Sequence, residues 1–181
     1  MASRTLAATA AAAFQLAAIA AFADSHPPPP TPTRVWLAAG PIRVVQTVND
    51  DGTRRCTLDV VNGPAHFGIT TTGRTLRIWL GDRSAPKPFN RGHIRLQFDS
   101  AQPWLVDGDA DPATPSIFVS SPVSLADGLR FIPQLARGRI VRVEMAGYTF
   151  LFSLTGVLAG LQATTACEAA ITGRAPIRRD L

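Results

Sequence analysis

Hydrophobic and polar residues alternate along several stretches of the chain, the pattern of strands that place one face on a core. In the clearest stretch Ile94, Leu96 and Phe98 alternate with polar neighbours. Further alternating stretches cover residues 75–80, 141–145 and 148–154, the last two joined by a turn into a hairpin. A second turn at residues 71–74 joins a strand at 66–70 to the one at 75–80, and shorter strands are predicted at 42–48, 56–61 and 117–120.

Two stretches are typical of helices instead. Residues 155–170 are rich in alanine, contain no proline and place Leu158, Leu161 and Thr165 on one stripe. Ser124 precedes a second, shorter helical pattern that Gly128 and Pro133 weaken. The fold class predicted is α+β: a mostly antiparallel β-sheet or β-sandwich-like domain with a C-terminal helix packed on it.

The first residues have the pattern of a signal peptide. Residues 1–23 hold one basic residue and a long apolar run, and end in the small-x-small sequence Ala21-Phe22-Ala23. The alternative is a transmembrane helix, but the run is mostly alanine and includes Gln15, which makes it weakly apolar for a permanent anchor. We therefore expect export to the periplasm or the cell exterior, with no transmembrane span in the mature protein.

The length of 181 residues and a hydrophobic share of 46% suit a single core. Residues 24–34 include four consecutive prolines and read as an extended linker. One β-rich globular domain is predicted at 35–170, and a flexible tail at 171–181.

The two cysteines predict a disulfide. An even count in an exported chain favours pairing over free thiols. Cys56 lies in phase with the inward Leu58 and Val60 of its strand, and Cys167 falls late in the predicted terminal helix. A bond between Cys56 and Cys167 would tie that helix to the sheet.

The chain is basic, with 18 Lys and Arg residues against 13 Asp and Glu residues, and Lys87 is the only lysine. Codon composition explains this excess of arginine, and an anion-binding face is the functional alternative. Outward strand positions are predicted for four candidate ligand-binding residues: Arg77, Trp79, Arg95 and Arg142.

Acidic residues share the predicted outward positions, namely Asp59, Asp99 and Glu144, so cross-strand pairing favours a mixed-sign face. The partners that suit a remaining basic surface are an anionic envelope glycan, a lipid headgroup or a host protein. Nucleic acid is excluded as a partner because export separates the two, and because the tryptophans are not interleaved with basic residues.

No motif in the chain indicates catalysis, a cofactor or a metal. Residues 107–111 resemble the start of a calcium loop, but Pro112 and Phe118 occupy the sixth and twelfth positions, where glycine and glutamate are needed. A solvated acidic turn is therefore predicted, with a weak calcium site as the alternative. The hypothesis is a non-catalytic binding domain. The alternative is a periplasmic hydrolase acting on an envelope polymer, its site assembled from His66, His93 and Asp99.

Four segments together resemble the invasion-associated locus B family, exported proteins of Gram-negative bacteria. They are Arg55-Cys56-Thr57-Leu58, the strand at 92–99, residues 125–145, and Phe152-Ser153-Leu154-Thr155-Gly156 before the alanine-rich helix. The resemblance implies a periplasmic or surface-associated, non-enzymatic role in host-cell invasion or envelope function, and names no catalytic residues. Residues 57–166 lack the further cysteines expected in that family, which leaves a related, uncharacterised secreted proteobacterial family as the alternative.

Overall fold

The structure is a computed structural model that describes residues 32–49, 51–72, 75–82, 84, 92–111 and 114–173. The predicted signal peptide, residues 24–31 of the predicted linker and residues 174–181 of the predicted tail lie outside this part of the chain. The elements in chain order are β1 (Pro32–Ala39), β2 (Ile42–Val48), β3 (Arg54–Asn62), β4 (Ala65–Thr71), β5 (Leu76–Asp82), β6 (Gly92–Phe98), β7 (Trp104–Asp111), β8 (Thr114–Ser120), α1 (Leu125–Arg137), β9 (Ile140–Met145), β10 (Tyr148–Ser153) and α2 (Val157–Thr172).

The strands described form one antiparallel sheet of ten strands, in the order β1-β2-β3-β4-β5-β8-β7-β6-β9-β10. The sheet curls so that its last strand approaches the third. Asn62 at the end of β3 donates a hydrogen bond of 2.8 Å to the carbonyl of Leu151 in β10, and the rings of Phe67 and Phe152 lie 5.7 Å apart. The prediction of an α+β fold dominated by antiparallel strands is confirmed.

The two helices cover the inner face of the sheet, the face whose side chains form the core. Phe131 of α1 packs edge-on against Phe98 and Trp104, with ring centroids 5.3 and 5.7 Å away. Gly160 lets α2 approach the sheet closely, because a Cβ there would lie only 2.8 Å from atoms of Ile42 and Leu58. The alternate strand residues form the outer face, which neither helix covers.

A disulfide joins Cys56 of β3 to Cys167 of α2, with a Cα–Cα distance of 6.1 Å across 111 residues of sequence. Both cysteines are fully buried. The predicted pairing is confirmed. The bond fastens the helix that closes the core to a strand near the start of the fold.

The short helix α1 begins directly after Ser124, as the pattern predicts. The Ser124 hydroxyl accepts a hydrogen bond of 3.1 Å from the Asp127 amide and thereby caps the helix. Pro133 lies inside α1 and does not end it. The terminal helix α2 continues to Thr172, so the first two residues of the predicted tail belong to it, and the last three residues of the predicted linker belong to β1.

The prediction of an acidic turn at residues 107–111 is wrong, because this stretch forms the second half of β7. The aspartates alternate with Gly108 and Ala110, which pair with Ser120 and Phe118 of β8. A Cβ on Gly108 would lie 2.6 Å from the Phe118 ring. The Phe118 ring thus fills the space on the inner face that Gly108 leaves. The alternation of residues within β7 does not indicate this partner, because Phe118 lies on another strand.

Candidate functional site

One row of paired residues crosses the outer face over six strands. It runs through Arg43, Asp59, Gly68, Trp79, Val119 and Asp109, each paired with the next in the sheet register. The row places a glycine between a carboxylate and a tryptophan. That glycine decides how the aromatic side chain lies.

The indole of Trp79 lies over Gly68. A Cβ on Gly68 would meet the indole Nε1 at 2.8 Å and the Leu58 carbonyl oxygen at 2.0 Å, so only glycine fits beneath the ring. The Nε1 atom is buried and has no hydrogen-bond partner among the described residues, which costs about 1–3 kcal/mol. The ring remains partly exposed. The Trp79 ring therefore packs over the backbone of Gly68 and forms an apolar surface among the polar side chains of the outer face.

His66 and Asp59 form a hydrogen-bonded pair beside this ring. His66 Nδ1 lies 3.1 Å from Asp59 Oδ2, and the two side chains are 20% and 13% exposed. Because a carboxylate only accepts, Nδ1 carries the proton, and Nε2 of the neutral ring is left as an acceptor. The imidazole also stacks on Trp79, with centroids 6.3 Å apart and an interplanar angle of 25°.

Arg77 occupies the next outward position on β5, about 6.6 Å along the strand from Trp79. One guanidinium nitrogen donates a hydrogen bond of 2.7 Å to the Ser120 carbonyl. The side chain is exposed, and a guanidinium has five donors, so most of its hydrogen-bonding capacity faces solvent. We call Asp59, His66, Arg77 and Trp79 together the Trp79 platform.

The other two predicted arginines lie elsewhere on the outer face and share one acid. Glu144 accepts a hydrogen bond of 3.0 Å from Arg95 and forms a salt bridge of 2.7 Å with Arg142. Strand order places Arg95 three strands from Arg77, about 14 Å at the usual strand spacing. The four predicted ligand-binding residues thus fall into two groups, and cross-strand pairing compensates one charge in the second group.

The residues predicted for a hydrolase are not brought together. His66 and His93 lie on β4 and β6, four strands or about 19 Å apart. Asp99 has a positive φ of 46° in the turn after β6, and its carboxylate accepts hydrogen bonds from the amides of Arg139 and Ile140. Its role is to start β9 rather than to orient a histidine.

The acid that does contact His66 is Asp59, which the sequence places on the neighbouring strand. The turn at Gly63 and Pro64 joins β3 to β4, so the register of this hairpin is the signal that would have found the pair. No hydroxyl or thiol of the described residues hydrogen-bonds to His66, and no group of three or more His, Cys, Asp or Glu side chains in the same part of the chain is placed to hold a metal ion.

A cavity of about 340 Å³ opens between the C-terminal end of α1 and the turn after β6. Phe98, Asp99, Gln134 and Arg137 are among its lining residues. No histidine of the described part of the chain lines it, and the Asp99 carboxylate is already used by backbone amides. It therefore lacks the pairing of histidine and free carboxylate that general acid–base chemistry needs.

Comparison of the chain with protein-family models, with curated proteins and with solved structures finds no match. Within the part of the chain that the structure describes, neither helix has the length and apolar content needed to cross a lipid bilayer. The chemistry of the outer face is therefore the basis of the function proposed below.

Proposed function

We propose that the protein is an exported, non-catalytic domain that binds an acidic saccharide of the cell envelope through the Trp79 platform. The family resemblance adds to this proposal a role in envelope function or host-cell invasion. The single observation that carries it is the partly exposed tryptophan packed over Gly68 on the outer face of the sheet, next to His66, in the same row as Asp59 and on the same strand as Arg77.

Two features support export. Residues 1–23 have the pattern of a signal peptide, and the Cys56–Cys167 disulfide is a bond that persists in oxidising compartments. Neither feature depends on the other, since the first lies in the leader and the second in the folded domain.

The chemistry of the platform matches an acidic sugar. The C–H face of a sugar ring stacks on a flat aromatic surface, while a few placed polar groups fix its orientation. The Asp59 carboxylate orients His66, and the Nε2 atom of the neutral imidazole accepts a hydrogen bond from a sugar hydroxyl group. Arg77 has donors left for a carboxylate or phosphate on the same sugar.

The pattern of interactions favours binding over catalysis. His66 has an orienting carboxylate but no nucleophile among the described residues, and the platform lies on the outer face of the sheet, where Arg77 is exposed and Trp79 is partly exposed. A surface of this kind recognises a polymer that runs across it.

Isothermal titration tests the proposal, with the polysaccharide released from bacterial lipopolysaccharide as the probe and neutral dextran as the reference. We expect Trp79→Leu and Arg77→Gln each to weaken binding by about tenfold or more, the loss of an anchor contact or a charge-assisted hydrogen bond. Arg95→Gln is the matched control, an outer-face arginine away from the platform, and should change affinity less than about twofold.

Two results contradict the proposal. The first is the absence of binding to any acidic polysaccharide tried with the wild-type protein. The second is wild-type affinity in both Trp79→Leu and Arg77→Gln. Because Arg77 is exposed, Arg77→Gln remains informative even where loss of the indole disturbs the sheet around Gly68.

A further inference from the structure

Helix α1 exposes a pair of leucines that the core does not use. Leu125 is 81% exposed and Leu129, one turn later, is 61% exposed. Residues four apart lie on the same side of a helix, so the two form one apolar ridge. Phe131 and Leu135, on the adjacent side, are buried in the core.

The apolar side of α1 is therefore wider than its contact with the sheet requires. At 100° per residue, it continues from the buried Phe131 and Leu135 through the partly buried Ile132 and Ala136 to the exposed leucine ridge. The two exposed leucines thus extend the apolar side of α1 beyond the part that the core covers, and a contiguous apolar surface bordered by polar groups is typical of a protein or membrane contact site.

Arginines border this ridge. Arg130 and Arg137 are both exposed, and the guanidinium of Arg130 lies 5.2 Å from the centre of the Trp104 ring. Asp127 is the only acid in α1, and its carboxylate accepts a hydrogen bond of 2.7 Å from Ser124 at the start of the helix. The exposed side of α1 thus combines apolar and positive groups.

The neighbouring helix offers little opposing charge. Among the sixteen residues of α2 the only charged side chain is Glu168, and Leu158 is 41% exposed. Both helices lie on the inner face of the sheet, on the opposite side from the Trp79 platform. A negatively charged partner approaching α1 meets few acids.

We propose that the α1 face, formed by Leu125, Leu129, Arg130 and Arg137, docks on the surface of an anionic lipid bilayer. The leucines enter the boundary between headgroups and acyl chains, and the arginines pair with lipid phosphates. Attachment that combines a small apolar ridge with a few cations is reversible. The proposal does not rest on saccharide binding, which uses the other side of the molecule.

A bilayer fits this face better than a second copy of the chain. A two-fold contact places the same patch of both copies together, so the four arginines of the two patches would be brought close together in an apolar setting. Like charges brought together in this way disfavour association. An anionic bilayer compensates the same charges.

Vesicle flotation tests the docking, using the protein isolated from the cells that express it and vesicles of phosphatidylcholine mixed with phosphatidylglycerol. The double variant Leu125→Gln/Leu129→Gln should lower the partition coefficient onto the vesicles by about tenfold per leucine, the lower end of the effect of burying that side chain. The matched control is Leu105→Gln/Leu151→Gln, which replaces leucines of the outer face that are 64% and 56% exposed. It should leave binding within about twofold of wild type.

A second pair of variants tests the electrostatic part. Arg130→Gln/Arg137→Gln should weaken binding by roughly fivefold per arginine, as about 1 kcal/mol per cation predicts, and Arg43→Gln/Arg54→Gln is the matched control. Vesicles of phosphatidylcholine alone should bind the wild type more weakly. Wild-type flotation of the Leu125→Gln/Leu129→Gln variant overturns the proposal, as does an equal loss in its leucine control, or the absence of any preference for anionic vesicles.

Discussion

Removal of the disulfide should cost the domain a large part of its stability. The perturbation is the double substitution Cys56→Ala/Cys167→Ala. Both side chains are fully buried, and alanine leaves no buried polar group in either place. The variant keeps the strand and the helix but frees the denatured chain from a cross-link.

The expected magnitude follows from the sequence separation of 111 residues. In the chain-entropy description, closing a loop of roughly 100 residues stabilises the native state by about 4.7 kcal/mol. A typical domain has a net stability of about 5–15 kcal/mol, so the disulfide supplies about a third of that stability or more. A shift of about 2–4 °C per kcal/mol for a domain of this size corresponds to a melting temperature lower by roughly 10–20 °C.

Urea unfolding followed by circular dichroism measures the difference. The double variant should lose about 3–5 kcal/mol in the free energy of unfolding, with a steeper dependence on urea because its unfolded chain is more expanded. Reduced wild-type protein serves as the matched control and should unfold like the double variant, while reductant should leave the variant unchanged. A loss of less than about 1 kcal/mol would falsify the view that this bond restrains the unfolded chain.

Two pairs of substitutions test the packing of α2 on the sheet and the capping of α1. Gly160→Ala places a methyl 2.8 Å from Ile42 and Leu58 and should destabilise the protein by about 1–3 kcal/mol. Gly128→Ala is the matched control, because its methyl meets only Leu76 at 3.7 Å, and it should stabilise the protein by about 0.5–1 kcal/mol. If thermal unfolding shows stability changes of the same sign for both variants, the close approach of α2 to the sheet is refuted. Ser124→Ala should lower the free energy of unfolding by about 1 kcal/mol, because it removes the cap of α1, whereas Ser124→Thr should keep most of the capping energy. Equal stability of the two variants in chemical denaturation would argue against the cap.

Much of the local structure was predictable because the responsible forces are local. The alternation around Ile94, Leu96 and Phe98 marks β6, since a strand with one buried face repeats every two residues. Ser124 marks the start of α1, since a hydroxyl there satisfies a free backbone amide. At residues 107–111 no inward pattern marks the strand, because the inward residues Gly108 and Ala110 are small.

The candidate site was predictable only in part. The outer face was expected to hold Trp79 and three arginines, and the sharing of Glu144 by Arg95 and Arg142 fits the expected mixed-sign surface. The pairing of His66 with Asp59 was not expected. It depends on the hairpin register of β3 and β4, because a shift of one residue would move the side chains of one strand to the opposite face of the sheet.

By itself, the amino-acid sequence determined which residues face inward on most strands, where the helices lie and which cysteines join, because periodicity and an even cysteine count act without knowledge of distant neighbours. Tertiary structure alone decided that β5 lies beside β8, that a glycine underlies Trp79, and that the four predicted binding residues divide into two groups. The physical reason is that lateral strand order depends on the packing of the whole core. Residues far apart in sequence become neighbours only when that packing is complete.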